Sequence, residues 1–293
     1  MAKPTILLTG ANGFLGSHLL EALLSQRYNL VILKRSTSDL WRIAHLMGQV
    51  TSYDVDSQLL ELAFKEQKID CVIHTACHYG RNGDSINRIV DSNLLYGIQV
   101  LEAAIAHDVK TFVNTDSLLP RNLNPYSLSK KQLVDWLKQQ SDKIHVVNLR
   151  VEHMFGPKDD TTKFVPWVMA QLKANTPEIK LTQGEQERDF IYIDDVVSAY
   201  LTVLSKQAEL PQYSEFDVGS GVLTTVRSFL EQLRLACEIK FGKLDTQLIF
   251  GALPYRDGEM MSVDVNTQGL RDLGWSAKTD IGHGLTYILE ENA

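Results

Sequence analysis

Short apolar runs alternate with longer amphipathic segments through the first 150 residues of the chain. Short runs of this kind, rich in β-branched residues, predict buried strands; they read TILLT, NLVIL, DCVIHTA, TFVNT and IHVVNL. The segments between them carry apolar residues at i, i+3, i+4 and i+7, which predicts helices; they read FLGSHLLEALLSQ, SQLLELAFKEQ, INRIVDSNLLYGIQVLEAAIAH and SKKQLVDWLKQQ. Strands that alternate with helices predict a parallel, doubly wound sheet.

The alternation loosens after about residue 155. FGPKDDTTKF predicts a loop, a helix is expected over 164–174, and RDFIYIDDVVSAYLTVLSK predicts strand, turn and helix. The expected fold is α/β, a doubly wound parallel Rossmann sheet with a smaller mixed α/β substrate-binding cap. We expect the dinucleotide-binding domain to cover 1–157 and to include a strand and helix that return near 188–222, and the cap to cover 158–187 and 223–293.

The composition of the chain argues against several classes of binding partner. The chain has 293 residues, 44% hydrophobic and 22% charged, with a net charge of −7 and no block of Lys and Arg, which argues against nucleic acid. No apolar run of about 18 residues and no signal-peptide pattern stand out, so we expect no membrane partner and a cytoplasmic protein. Three cysteines without CxxC spacing argue against a disulfide framework and against a metal site.

The first predicted strand runs directly into TGANGFLG, whose glycines are Gly10, Gly13 and Gly16. Glycines there allow a tight turn, a close approach of backbone N–H groups to a pyrophosphate, and packing of the next helix on the sheet. The strand and helix on either side favour this dinucleotide-binding role over a tight turn without ligand. We expect the turn to contact the cofactor, together with the neighbouring residues Asn12, Phe14 and Leu15.

The end of the second strand discriminates between the two nicotinamide cofactors. NAD enzymes usually place an acid there for the ribose 2′-hydroxyl, whereas a 2′-phosphate requires positive charge. Lys34, Arg35 and Ser36 occupy this place, and the first acid, Asp39, comes too late. The sequence therefore predicts NADPH, with a solvated basic turn as the alternative.

A third strand is expected to end at SYDVD. The carboxylate of Asp54 would accept a hydrogen bond from the adenine amino group, with Val55 beside it, while a helix N-cap is an alternative function for Asp56.

Tyr126 and Lys130 lie four residues apart in PYSLSKK, at the start of a predicted helix. Positions i and i+4 share one helix face, so phenol and ammonium would lie side by side. A neighbouring cation stabilises phenolate, and we expect it to lower the pKa of Tyr126 and to make it an acid–base group. Such a pair also occurs by chance, but the glycine motif and Thr115, placed at the end of the fifth strand, favour catalysis.

With these residues identified, the chain resembles the extended short-chain dehydrogenases/reductases, a family of nucleotide-sugar epimerases, dehydratases and reductases. The resemblance covers essentially the whole chain, and its motifs are GANGFLG, HTAC, Asn93 followed by LEAA, YSLSK, FGP, RDFIYIDDV and YRDGE with LRDLGW. It implies a catalytic triad of Thr115, Tyr126 and Lys130, in which Tyr126 exchanges the proton and Lys130 also binds the nicotinamide ribose. It also implies cofactor contacts for Thr75, Ala76, Cys77 and Asn93.

The resemblance further implies that Arg188 and Arg256 bind the diphosphate of a sugar nucleotide, for which planar guanidinium groups are well suited. Surface salt bridges are the alternative for both residues. Asp116 and Ser117 are expected to contact the substrate. Dehydratases of the family have a glutamate where Ser117 stands, and serine cannot replace that base, so dehydration is not expected.

Among the remaining chemistries, LKRS favours NADPH and net reduction of a keto sugar. A narrower resemblance, to the CDP-abequose and CDP-paratose synthases, implies reduction of the C4 ketone of a CDP-3,6-dideoxyhexulose in O-antigen biosynthesis. Segments such as NTDSLLP and RVEHMFGPKDDTTKFVPW carry this resemblance. An NAD-dependent epimerase and a non-catalytic nucleotide-sensing relative stay open as alternatives, and so does dTDP in place of CDP.

Further substrate contacts are expected from His78, His153, Lys163 and Phe164. His153 stands where the family generally has asparagine, and a satisfied structural histidine is its alternative. Cys77, His78 and Tyr79 follow the fourth strand and should lie near the nicotinamide. Cys77 is expected to pack and not to act as a nucleophile. The resemblance also implies a homodimer formed through helices at about 86–107 and 127–140, although each could bury its apolar face within the subunit.

Overall fold

The computed structural model describes residues 3–81 and 83–291. Contacts divide the chain into two compact units. The first contains the residues up to Val151 together with Tyr200–Phe216, and the second contains Glu152–Ala199 and the residues from Asp217 onward. The predicted division was at 157 and the predicted returning segment at 188–222. Residues 1 and 293, the outer limits of the predicted domains, lie outside the described residues.

Through the first 151 residues, strands and helices follow one another in the order that the apolar pattern predicts. The strands are β1 (Thr5–Thr9), β2 (Asn29–Lys34), β3 (Thr51–Asp54), β4 (Cys71–His74), β5 (Thr111–Ser117), β6 (His145–Val151), β7 (His153–Phe155), β8 (Glu178–Lys180), β9 (Glu187–Tyr192), β10 (Tyr213–Val218), β11 (Leu223–Thr225) and β12 (Gln247–Ile249). The helices are α1 (Phe14–Ser25), α2 (Glu61–Glu66), α3 (Ile86–Val90), α4 (Tyr96–Ala106), α5 (Pro125–Gln139), α6 (Phe164–Lys173), α7 (Ile193–Lys206), α8 (Val226–Phe241), α9 (Gln268–Asp272) and α10 (Ile281–Glu291).

Seven strands form the main sheet, in the order β10-β6-β5-β4-β1-β2-β3. The pairings of β1 with β2 and β4, of β2 with β3, and of β5 with β4 and β6 are all parallel. Central strands of such a sheet are covered on both faces and therefore carry continuous apolar runs; Leu7, Val72, Phe112 and Val146 are fully buried. The predicted doubly wound parallel sheet is confirmed.

Local sequence sets where α5 begins. Asn124 accepts a hydrogen bond from the Ser127 N–H (2.8 Å), and the Ser127 hydroxyl lies 3.2 Å from the Asn124 N–H, which completes a capping box. Pro125 occupies the first turn, where its missing N–H costs nothing. The cap fixes the first turn of α5, in which Tyr126 lies.

The helical run Ile86–Ala106 is not a uniform α-helix. A π-helical turn, Asp91–Leu95, joins α3 to α4. By length and composition this run could cross a membrane, contrary to the expectation that no stretch would qualify. The core helix of a soluble protein passes the same test, and Val100, Leu101 and Ala104 of this run belong to the hydrophobic core under the main sheet.

The second unit contains a three-stranded sheet, β11-β9-β7, and a pair formed by β12 and β8. Its core includes Phe190 stacked on Phe229, with ring centroids 3.9 Å apart. The turn expected between strand and helix in RDFIYIDDVVSAY is absent among the described residues, because β9 ends at Tyr192 and α7 begins at Ile193.

Candidate active site

The glycine-rich turn joins β1 to α1 and contacts the loop after β4. Gly10 has φ +70°, and a Cβ atom there would lie 2.7 Å from the Ala76 nitrogen and 2.8 Å from the Thr75 hydroxyl. The Thr75 hydroxyl donates to the Thr9 carbonyl (2.8 Å), and the Ala76 N–H donates to the Thr9 hydroxyl (3.2 Å). Two segments that were expected to contact the cofactor are therefore packed together at the carboxyl ends of neighbouring strands.

The amino end of α1 lies against the same turn. A Cβ atom at Gly16 would lie 2.0 Å from the Gly10 carbonyl oxygen, so only glycine allows this approach. Gly13 occupies the N-cap position, and no side chain of the described residues caps the helix there. Uncapped N–H groups and the helix dipole together favour a bound anion.

At the end of β2 the basic residues have acidic neighbours. The parallel register places Lys34 opposite Asp54 of β3, and the Lys34 ammonium forms an ion pair with the Asp54 carboxylate. Both residues had been expected to contact the cofactor separately. The Ser36 N–H and hydroxyl donate to the Asp56 carboxylate at 2.8 Å and 2.7 Å, and these bonds lower the pKa of Asp56.

Arg35 is exposed, and Val55 is half-buried beside the strand end, where its N–H donates to the Lys34 carbonyl (2.9 Å). Arg42, which sequence analysis did not single out, donates to the Asn12 carbonyl (3.2 Å) and lies over the Trp41 ring, 4.4 Å from its centroid. Arg42 is thus held at the glycine-rich turn, and no local motif marks it.

The loop after β4 is anchored by Asn93, which is fully buried. The Asn93 side chain accepts from the His78 N–H (2.6 Å) and donates to the His78 carbonyl (2.9 Å) and the Ser129 hydroxyl (3.0 Å). The His78 imidazole lies 2.8 Å from the Asp84 carboxylate. Half-buried Cys77 precedes this anchored residue, so Asn93 fixes the loop that carries both expected contacts.

Tyr126 and Lys130 lie on one face of α5, and Lys130 is buried. The ring of Tyr79, which was expected near the nicotinamide, stacks on the Tyr126 ring with centroids 5.2 Å apart. Burial raises the pKa of Tyr126 well above its ordinary value, and nearby Cys77 and Tyr79 raise it further. The expected lowering of the Tyr126 pKa is therefore wrong for the protein alone, because loss of solvation has the largest effect on the phenol.

Burial also lowers the pKa of Lys130, because the interior penalises its charged form. With the raised pKa, the Tyr126 phenol carries its proton at neutral pH. The first turn of α5 therefore provides a half-buried proton donor, one helical turn from a buried lysine.

Strand β5 continues through Asp116 to Ser117, two residues beyond the predicted end at Thr115. The Thr115 hydroxyl forms a hydrogen bond with the phenol of the fully buried Tyr200 (2.7 Å). Asp116 is buried and forms an ion pair with Lys131 (2.6 Å). The Ser117 hydroxyl is buried without a hydrogen-bond partner among the described residues.

The remaining predicted residues belong to the second unit. His153 lies 2.8 Å from the Glu152 carboxylate, through its Nδ1 atom. Lys163 forms an ion pair with Asp159 (2.8 Å), and Phe164, at the start of α6, is 45% exposed.

Arg188 and Arg256 are associated with one short segment of the second unit. The buried Arg188 guanidinium donates to the Glu259 carboxylate (2.6 Å) and to the Met260 carbonyl (2.8 Å). The exposed Arg256 accepts the Glu259 N–H through its carbonyl (3.0 Å). Glu259 thus links the two arginines, and Arg188 already has an anionic partner within the protein.

The first unit therefore brings together the glycine-rich turn, the Asn93-anchored loop and the residues Thr115, Ser117, Tyr126 and Lys130. In the described part of the chain, no group of three or more His, Cys, Asp or Glu side chains could hold a metal ion. Sequence reasoning missed Arg42, Lys131 and Tyr200, whose roles arise from contacts between distant segments.

Comparison with known proteins identifies the family. A family model described as "NAD dependent epimerase/dehydratase family" matches residues 6–219. The chain is 32% identical to a CDP-abequose synthase of Salmonella typhimurium over 301 residues, which covers 98% of each chain. A CDP-abequose synthase of Yersinia pseudotuberculosis is 26% identical and matches 88% of this chain and 91% of its own length.

Solved structures confirm the fold. The UDP-glucose 4-epimerase of Thermotoga maritima superposes with a TM-score of 0.84 at 22% identity, over 98% of this chain and 97% of the other. The dTDP-glucose 4,6-dehydratase of Bacillus anthracis gives a TM-score of 0.81 at 18% identity, over 98% and 96%. Together with the family model, these matches show that the chain belongs to the NAD dependent epimerase/dehydratase family of extended short-chain dehydrogenases/reductases.

Proposed function

We propose that the protein is an NADPH-dependent reductase of the C4 ketone of a nucleotide-linked 4-keto-(di)deoxyhexose. The proposed substrate is CDP-4-keto-3,6-dideoxyglucose, with CDP-abequose or CDP-paratose as product for O-antigen synthesis. The observation that carries the proposal is the pair of half-buried Tyr126 and buried Lys130 on α5, together with a strand end that reads Thr-Asp-Ser. Similarity over nearly the full length to CDP-abequose synthases supports this substrate class.

The residues of the first unit fit a dinucleotide. Gly10 and Gly16 allow close backbone packing that a Cβ atom would prevent, and the amino end of α1 has no side-chain cap among the described residues. We propose that this turn, with Asn12, Phe14 and Leu15, binds the pyrophosphate, and that Thr75, Ala76, Cys77 and Asn93 line the nicotinamide side. When bound, the reduced nicotinamide supplies a hydride.

The chain's own residues supply the proton. Tyr126 keeps its proton at neutral pH because burial raises its pKa, so it is ready to protonate an oxygen that gains negative charge. Lys130 contributes a positive charge beside the phenol and a donor for the nicotinamide ribose. Thr115, whose hydroxyl has one partner in Tyr200, would hydrogen-bond the reacting oxygen.

Preference for NADPH is proposed from Lys34, Arg35 and Ser36, with Asp54 and Val55 on the adenine side. Arg35 is exposed at the end of β2 and is free of the ion pair that engages Lys34. Because Lys34 is paired with Asp54, we assign the larger share of 2′-phosphate binding to Arg35.

The same acidic neighbours favour a second candidate function. Asp54 and Asp56 place carboxylates beside the end of β2. In NAD enzymes a carboxylate in this region accepts a hydrogen bond from the ribose hydroxyl, and an NAD-dependent epimerase would use such a group. An epimerase would return the hydride to the same sugar, without net consumption of cofactor.

For the nucleotide sugar we propose Arg188 and Arg256 as diphosphate ligands. Asp116, Ser117, His78, His153, Lys163 and Phe164 are proposed as further substrate contacts. Without substrate, the charge of the Arg188 guanidinium is neutralised by the Glu259 carboxylate.

A cytoplasmic homodimer is also proposed. Along Ile86–Ala106 and on α5, large apolar side chains are exposed, with Ile86 at 65%, Leu95 at 47% and Trp136 at 50%. Burial of such side chains in an interface between two copies would be favourable. A monomer mass in analytical ultracentrifugation would contradict the dimer.

The test of the function is a panel of CDP-, dTDP-, GDP- and UDP-linked 4-keto-6-deoxy sugars, each with NADPH and NADH. We expect one mole of NADPH to be consumed per mole of keto sugar and a new C4 hydroxyl in the NMR spectrum of the product. Tyr126→Phe should abolish turnover and retain cofactor binding. Conversion of a sugar without net cofactor consumption would establish the epimerase, and cofactor binding without turnover would indicate a sensor.

A further inference from the structure

The last three residues of β5 point in alternate directions. Side chains of successive strand residues lie on opposite faces, so Thr115 and Ser117 share one face and Asp116 lies on the other. Both hydroxyls of the shared face therefore lie at the carboxyl end of a central strand, where ligands bind in open α/β sheets.

The two hydroxyls differ in their partners. Thr115 has one partner within the protein, the Tyr200 phenol at 2.7 Å. The Ser117 residue is only 9% exposed, and its hydroxyl has no hydrogen-bond partner among the described residues. Buried polar groups are almost always hydrogen-bonded in native proteins, so an unpartnered one requires an explanation.

The Ser117 hydroxyl lies close to the Tyr126 phenol. It is near enough to lower the pKa of that phenol, although no hydrogen bond of good geometry joins the two groups. An oxygen atom that receives the Tyr126 proton would therefore lie within reach of the Ser117 hydroxyl.

The backbone at Ser117 is held in place. The Lys131 ammonium donates to the Ser117 carbonyl and also forms the 2.6 Å ion pair with Asp116. A donor on a fixed strand end is preorganised, which is what stabilisation of a developing charge requires.

We propose that Ser117 is a further catalytic residue, whose hydroxyl donates a hydrogen bond to the sugar oxygen that Tyr126 protonates. This inference rests on the proposed reductase function and identifies one more group of the same site. The carbonyl oxygen gains negative charge as its carbon is reduced, and a donor that waits unpaired for this oxygen stabilises the transition state more than the ground state. Loss of one such donor typically lowers kcat by about 10²–10³-fold.

The experiment compares Ser117→Ala with Ser117→Thr, which keeps a hydroxyl, and with Ser214→Ala as matched control. Ser214 is also a buried serine of the first unit, but its hydroxyl is already satisfied by the Pro211 carbonyl (3.3 Å). We expect Ser117→Ala to lower kcat by about 10²-fold with a smaller change in KM, and Ser117→Thr to be at least about tenfold faster than Ser117→Ala. Ser214→Ala should keep the wild-type kcat.

Stability separates catalysis from a structural role. Removing an unsatisfied hydroxyl removes no internal hydrogen bond, so the midpoint of urea unfolding of Ser117→Ala should equal or exceed that of the wild type. A Ser117→Ala enzyme with kcat within threefold of the wild type would overturn the proposal.

Failure of the proposed function can be recognised separately. If the wild-type protein reduces no sugar of the panel, the proposed reductase function is refuted. The interaction of Ser117 with Tyr126 is then tested by a titration of the protein without substrate. Titration of ¹³C-labelled tyrosine, with Tyr126 assigned through its loss in Tyr126→Phe, should show a higher pKa for Tyr126 in Ser117→Ala than in the wild type. An unchanged pKa would overturn the proposal in that case.

Discussion

The ion pair between Asp116 and Lys131 gives a quantitative prediction about stability. The Asp116 side chain is 1% exposed and that of Lys131 18%, with 2.6 Å between the charged atoms. The Asn148 amide lies 3.4 Å from the carboxylate, and the second carboxylate oxygen has no hydrogen-bond partner among the described residues. Lys130 also interacts electrostatically with Asp116. Lys131 is therefore the cation in direct contact with this buried negative charge.

Lys131→Met keeps most of the side-chain volume and removes the charge. Breaking a buried ion pair by removing one partner costs about 3–5 kcal/mol, because the other charge stays buried and uncompensated. The bond to the Ser117 carbonyl, worth about 1 kcal/mol, is lost as well. Since Lys131 is partly exposed, we expect the lower part of this range, about 3 kcal/mol of unfolding free energy.

Helix α5 offers a matched control. Lys138 is 49% exposed and lies 4.0 Å from the Glu215 carboxylate, and such surface pairs contribute about 0–1 kcal/mol. In urea unfolding, Lys131→Met should lose much of the unfolding free energy and Lys138→Met only a little. The double variant Asp116→Asn/Lys131→Met should recover more than half of the free energy that Lys131→Met loses. If Lys131→Met destabilised the protein no more than Lys138→Met, the assignment of a buried charge at Asp116 would be refuted.

Two further predictions concern a glycine and a histidine. Gly16→Ala should abolish cofactor binding in a fluorescence titration, because its Cβ atom would lie 2.0 Å from the Gly10 carbonyl oxygen. The control Gly48→Ala, whose Cβ atom would have nothing within 4 Å, should bind the cofactor as the wild type does. Equal affinities of the two variants would contradict the close packing of Gly16 on Gly10. Burial lowers the pKa of His74 from 6.5 to about 3. The unfolding free energy should therefore be highest above pH 6.5 and should fall by up to about 1.4 kcal/mol per pH unit as the pH drops toward 3. Urea unfolding at a series of pH values should show a flatter slope for His74→Gln than for the exposed control His45→Gln, and identical slopes would count against a neutral buried imidazole.

Features that depend on neighbours along the chain were predictable from sequence. The glycine-rich turn, the apolar central strands and the helical spacing of Tyr126 and Lys130 follow from the local backbone and from side-chain periodicity. They sufficed for the fold, and the family comparison confirms it.

Features that depend on distant residues were not predictable in the same way. Lys34 was treated as a free cation, but the register of β2 and β3 places it opposite Asp54, twenty residues later. The partner of Thr115 lies 85 residues away. The direction of the Tyr126 pKa depends on burial, which no spacing of two residues contains.

The π-helical turn at Asp91–Leu95 limits how this part of the protein can be exchanged with that of a relative. Asn93 lies within the turn and holds the His78 backbone and the Ser129 hydroxyl at the same time. One residue more or fewer between α3 and α4 would rotate Asn93 by about 100° around the helix axis and leave that loop without its anchor. Chimaeras and loop grafts in this region must therefore preserve residue count before residue identity, and an alignment gap here would carry more functional meaning than a substitution.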